Sequence, residues 1–190
     1  MTLRLINAPV APAVSLIEAK AHLRLIDAAD DALVTAMIGA ATEAAEHATG
    51  RALMVQTWEA GFDVFGTALV LTRVPVQSIT SITYIDAAGV LQTLLSALYT
   101  LVQDDFGFAH ILPTYGTAWP AVRGDADGVK VRYVAGYASA TSVPQSIKSW
   151  ILLSVGSMYE GRESEVIGNG SILSLGFADS LLDRYLVYGK

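Results

Sequence analysis

The hydrophobic residues of this chain change period twice, and that double change restricts the fold more than any motif does. From Ser15 to about Thr49 apolar residues recur at helical spacing, from Val55 to Tyr137 they alternate, and from Pro144 helical spacing returns. A helix pattern cannot settle as a strand, so helices must flank a run of strands on both sides. The expected class is α+β: a small helical bundle of about four helices, with an antiparallel β-sandwich or barrel-like module inserted between helices 2 and 3. The expected boundaries are residues 1–54 for the first helical part, 55–138 for the β-module and 139–190 for the second helical part.

Local signals support each element. Ser15 and Glu18 have the S-x-x-E spacing of a capping box, which opens a helix running to about Leu25. Asp27, Asp30 and Asp31 place negative charge at the start of a second helix, where the dipole favours it. That helix ends before Gly50, and its expected stripe is Leu33, Met37, Ala40, Ala41, Ala44 and Ala48. Nine alanines between Ala28 and Ala48 leave a thin surface against which another helix or another subunit can pack closely. Expected strands cover residues 57–62, 68–71, 78–85, 99–103, 108–112 and 129–134, with Asp86 and Gly89 forming a turn before Val90 and Leu91. Pro144 fits the first turn of a helix whose stripe is Ile147, Ile151, Val155 and Met158. Residues 164–176 are rich in Gly and Ser and read as a loop. A short helix from about Phe177 then carries Leu181, Leu182, Tyr185 and Leu186.

Composition narrows the function. Apolar types make up 53% of the 190 residues, enough for a real core and for surplus surface to hide against other subunits. No apolar run reaches the ~18 residues of a membrane span, so no membrane partner is expected. The balance of 12 basic and 18 acidic residues, with the basic ones scattered singly, argues against tight binding to nucleic acid through its phosphates. The absence of Cys removes disulfides, thiolate metal sites and a cysteine nucleophile. Residues 1–9 lack a basic segment followed by a continuous apolar stretch, so no secretory signal is expected and the chain reads as intracellular or assembled inside a cell.

Catalytic chemistry finds little to rest on, and neither enzyme activity nor a cofactor or metal is expected. His22, His47 and His110 fall on different expected elements and form no H-E-x-x-H motif. Glu43 and Glu46 share a helix face with nothing nearby to raise one pKa for acid work. The glycines from Gly168 to Gly176 follow no strand and end in no Lys-Ser/Thr, so they do not cradle phosphate. Gly156 and Ser157 lack the G-x-S-x-G elbow. The aromatics Trp58, Phe62, Tyr84, Trp119, Tyr133 and Tyr137 fall in or beside strands. They leave open a second reading, a carbohydrate- or protein-binding β-module on a helical stalk.

The ordered set of segments resembles the head-to-tail connector (adaptor) family of long-tailed phages, prophages and gene transfer agents. The resemblance is carried by residues 15–25 (SLIEAKAHLRL), 30–33 (DDAL), 45–53 (AEHATGRAL), 75–79 (PVQSI) and 82–84 (ITY). It continues through Trp119, Pro120 and Arg123, residues 131–137 (VRYVAGY), Val143 with Pro144, Ile147 with Lys148, and residues 159–163 (YEGRE). The resemblance implies a structural virion protein at the head-tail junction. Such a subunit forms a ring, dodecameric on the portal, that extends the DNA channel and offers a platform for a stopper or tail-completion protein. Double-stranded DNA would pass through without sequence-specific binding. The family's portal-docking arm maps onto Leu181, Leu182, Arg184, Tyr185, Leu186, Val187 and Tyr188. A ring needs a head-to-tail interface, and Leu33, Met37, Ala41, Ala44, Ile147, Ile151, Val155 and Met158 would form either that interface or the subunit's own helical core.

Overall fold

The structure, a computed structural model, describes residues 1–104, 108–161 and 176–187. It divides into two compact units. One comprises Met1–Val10, Gly50–Tyr137 and Val187–Lys190; the other comprises Ala11–Thr49 and Ala138–Leu186.

Apart from a 3-10 turn at Ser96–Leu98, the first unit is built of strands. In chain order these are β1 (Thr2–Asn7), β2 (Gln56–Phe62), β3 (Leu69–Leu71), β4 (Val76–Ile85), β5 (Leu91–Thr93), β6 (Tyr99–Gln103), β7 (Ala109–Pro113) and β8 (Val129–Ala135). They form two antiparallel sheets, a five-stranded one in the order β1-β2-β8-β4-β5 and a three-stranded one in the order β3-β7-β6. Alternation in β8 explains its central place. Val129, Val131, Tyr133 and Ala135 are buried, while Lys130 and Arg132 are exposed. The buried set joins Ala60 and Ile82 with Leu69, Leu71, Ala109 and Ile111 of the smaller sheet in one core. Between β4 and β5, the Asp86 carboxylate accepts from the backbone N–H groups of Val90 and Ala88 and from Gln92. The Val90 N–H and then the Gln92 amide hold that carboxyl below the usual Asp range.

The sequence signals no element before Ser15, yet β1 stands at the edge of the larger sheet. Its partner β2 lies more than fifty residues downstream, so no local turn signal advertises the pairing. Leu3 and Leu5 stand opposite Ala60 and Trp58, which gives the short alternating run a place against the sheet.

The second unit holds α1 (Leu16–Leu23), α2 (Asp31–Thr49), α3 (Gln145–Glu160) and α4 (Gly176–Asp183). The capping box is formed as expected: Glu18 N–H donates to Ser15 Oγ, and the Ser15 N–H donates to the Glu18 carboxylate. α1 stops two residues early because Arg24 turns left-handed, at φ 59°, its N–H donating to the Ala21 carbonyl and the Leu25 N–H to the Lys20 carbonyl. Gly50, at φ 73°, ends α2. Ala19, Val34, Ile38, Ala41, Ala45, Ile147, Ile151 and Val155 are buried in this unit. Three polar ties cross between its helices or their ends: Lys148 to Glu18, Lys20 to Asp31, and the Tyr159 hydroxyl to the Asp30 carboxylate. The expected loop at residues 164–176 lies outside the described residues, apart from Gly176, which opens α4.

Candidate assembly surfaces

The structure separates the α2 and α3 residues that sequence analysis groups together. Ala41, Ile147, Ile151 and Val155 are buried, and Met37 and Met158 are half-buried. Leu33 is 39% exposed and Ala44 is exposed, so of the two expected places, ring interface or helical core, these two residues lie outside the core. The buried stripe of α2 is Val34, Ile38, Ala41, Ala45 and Thr49, one residue along from the expected one. The reason is compositional. In a helix so rich in alanine every face reads as apolar, and the period alone cannot fix its phase.

The opposite face of α2 is left open, with Ala36, Gly39, Ala40, Glu43, Ala44, His47 and Ala48 all exposed. A Cβ built on Gly39 meets nothing within 4 Å. Gly39→Ala is therefore expected to stabilise the isolated chain by about 0.5–1 kcal/mol, since helix-interior glycine carries an entropic cost and nothing here obstructs a methyl. Urea denaturation measures the gain; a loss of stability would mean that the position is crowded.

α3 is tied to α1 by the Lys148–Glu18 ion pair. The Lys148 hydrogen bond, followed by the Ser15 N–H, holds the Glu18 carboxyl down at about 2, against the opposing pull of burial. Among the described residues no three His, Asp or Glu side chains are grouped to hold a metal ion. The three histidines serve other surroundings. His22 lies beside Gly156 of α3, whose Cβ would stand 3.5 Å from its Nε2, and His110 stacks with Phe108 at 6.4 Å between ring centroids.

The C-terminal residues divide as well. α4 ends at Asp183, so Tyr185 and Leu186 follow the helix rather than belong to it, and the Tyr185 N–H donates to the Leu182 carbonyl. Leu182 is only 4% exposed, Arg184 is exposed, and Leu181, Tyr185 and Leu186 are intermediate. Val187 packs against the core of the sheet unit, and Tyr188 lies outside the described residues.

The strand aromatics face inward. Phe65 stacks on Trp119 at 4.7 Å and meets Tyr84 edge-on at 5.5 Å, while the Arg73 guanidinium lies 5.0 Å from the ring centre of Trp58. Trp58, Phe62, Tyr84 and Trp119 all pack against the buried core, and Tyr133 is wholly buried. Burial lifts the Tyr133 hydroxyl well above the usual tyrosine range, with Arg73 opposing. These rings build the inside of the two-sheet unit rather than an exposed platform. Phe65 escaped sequence analysis because it sits in a loop between β2 and β3, outside any alternating run.

The whole chain superposes on a chain from the neck of an empty gene transfer agent particle computed with C6 symmetry. The TM-score is 0.79 at 24% identity, over 100% of this chain and 97% of the other. The fold is that of a gene transfer agent neck protein. The same neck fold recurs in the virion of the native particle, at TM-score 0.77 and 24% identity, and in the native neck computed with C12 symmetry, at 0.75 and 23%. Coverage is again 100% and 97% in both. The family model of the phage gp6-like head-tail connector protein matches residues 13–88, which span α1, α2 and the strands from β2 to β4. The resemblance read from the sequence and the expected α+β class therefore hold, with two open antiparallel sheets and no closed barrel among the described strands. No curated protein matches the chain.

Proposed function

We propose that this protein is a structural head-to-tail connector subunit at the head-tail junction of a phage or a gene transfer agent particle. The observation that carries this reading is the match of the entire chain, both units included, to neck proteins from particles computed with rotational symmetry. A rotationally symmetric neck calls for copies in a closed head-to-tail ring, in which each subunit offers one patch and receives a different one. The ring sits beneath the portal, extends the DNA channel and carries the stopper or tail-completion protein.

Charge suits a conduit. Eleven acidic and five basic residues fall in the helical unit and seven of each in the sheet unit, so the formal charge of −6 belongs to the helices. A duplex slides past acidic walls without the counterion-release binding that clustered Lys and Arg would supply.

The portal-docking arm comprises Leu181, Leu182, Arg184, Tyr185, Leu186, Val187 and Tyr188. Leu182, already buried, anchors the arm's base, and Arg184 offers an exposed charge. Light scattering after size-exclusion chromatography, with and without portal rings, tests the assignment. The full chain is expected to enter a ring-sized complex with portal, and a chain lacking residues 180–190 is expected to lose at least tenfold in portal retention while its strands and its other three helices stay folded. A full chain that stays monomeric beside portal would overturn the ring. Undiminished retention of the shortened chain would overturn the arm alone.

A further inference from the structure

The outer face of the larger sheet holds a notch with two cations and two carboxylates in its lining. Two rows of side chains cross β1, β2 and β8: Arg4, Glu59 and Arg132 stand in register, and so do Thr2, Gly61 and Lys130. In the first row Glu59 is committed to Arg132, which donates to it at 2.7 Å. Beside the second row, where Gly61 carries no side chain, lies a notch of about 160 Å³ lined by Thr2, Leu3, Arg4, Glu59, Asp127 and Lys130 as well as Gly61. The space that a Cβ on Gly61 would take is held by the Asp127 carboxylate and the Thr2 hydroxyl, whose oxygens Oδ1 and Oγ1 would stand 2.3 Å and 2.4 Å from it. Those two atoms are themselves joined, Thr2 Oγ1 donating to Asp127 at 2.7 Å. The carboxylates at the notch thus have partners. The Arg4 guanidinium and the Lys130 ammonium have neither a hydrogen-bond nor an ion-pair partner among the described residues. With Glu59 paired to Arg132, the two cations outnumber the one remaining carboxylate of the notch, Asp127, so the notch keeps a net positive charge.

The chain also carries a matching anion. Glu43 is exposed on the open face of α2, has no partner among the described residues, and is flanked on its own helix by Gly39, Ala40 and Ala44. Small neighbours let a second surface come close to that carboxylate. The net negative charge of the helical unit draws it toward a cationic patch on a neutral one.

We propose that the Arg4–Lys130 notch of one copy receives Glu43 from α2 of the next, as a head-to-tail contact of the ring. This rests on the ring reading above. The chain contains no cysteine, so cross-linking is clean. The full-length E43C/K130C variant, assembled with portal and treated with a short bismaleimide, is expected to give a ladder from dimer through trimer and beyond. E43C or K130C alone stops at dimer, and a mixture of the two single variants gives the mixed dimer. R4E/K130E is expected to lose at least tenfold in ring yield, and adding E43K is expected to restore part of it. A double-cysteine variant that assembles yet stops at dimer, or yields only a faster-running internally linked monomer, would overturn the contact and leave the ring intact. Wild-type chains that never assemble would remove both. Unchanged ring yield in R4E/K130E, with loss of duplex DNA retention on filters, would assign the cations to phosphate and overturn the contact.

Discussion

Gly136→Ala is expected to destroy the sheet unit. Gly136 follows β8 at φ 111°, a conformation that side-chain-bearing residues rarely adopt. A methyl there would stand 2.0 Å from the carbonyl oxygen of Met54, 2.4 Å from its carbonyl carbon and 3.0 Å from the nitrogen of Val55. All three are backbone atoms, so no side-chain rotation relieves the clash. Nor can the glycine swing aside. Its N–H donates to the Pro75 carbonyl at 2.8 Å, and its own carbonyl accepts from Gln77 Nε2 at 2.7 Å. Strain and overlap together are expected to cost about 4 kcal/mol or more, a large part of the 5–15 kcal/mol that holds a typical domain. The damage spreads because β8 is hydrogen-bonded to both β2 and β4. The check is soluble yield together with near-UV circular dichroism, which reads the packed Trp and Tyr rings. A soluble Gly136→Ala protein melting at the wild-type temperature would refute the reading.

How much was legible beforehand follows from where the information lies along the chain. β8 could be read because alternation and burial coincide within seven residues, Val129 to Ala135. The α1 cap could be read because Ser15 and Glu18 are three apart and bond each other. The phase of α2 could not, since Leu33 and Val34 compete for the core among alanines and only packing against the other helices decides between them. β1 and the division of strands into two sheets depend on pairings far apart in sequence, for which no local residue type votes. The notch on the outer face is the extreme case. It joins residues 2–4 and 59–61 from two strands with Asp127 and Lys130 at the start of a third, and no local pattern links them. The ordered caps and turns nonetheless pointed to the neck proteins, because a series of individually weak signals in a fixed order is far rarer than any one of them.

Lys148→Met is expected to loosen the helical unit at neutral pH and to matter progressively less in acid. The Lys148 side chain is 11% exposed and its ammonium reaches Glu18, so it joins the start of α3 to the first turn of α1. Methionine keeps the buried stem and removes only the charge. Glu18 is 41% exposed on its side chain, so water screens the pair and the carboxylate rehydrates when the ammonium goes. The expected loss is therefore about 1–2 kcal/mol at pH 7, below the 3–5 kcal/mol of a fully buried broken pair. The pH dependence has a definite sign. The folded-state pKa of Glu18, at about 2, lies under its ordinary 4.5, so its stabilisation is complete above pH 4.5 and fades as pH falls toward 2. Because Lys148 is the largest cause of that depression, removing it flattens this part of the curve. The gap between wild type and Lys148→Met, measured by urea denaturation at several pH values, should narrow steadily from pH 4.5 downward. Other carboxylates titrate in both proteins and cancel in the difference. A gap that stayed constant to pH 2 would mean that Lys148 acts through packing alone, and the polar tie between α1 and α3 would then contribute nothing to holding the unit that carries α2.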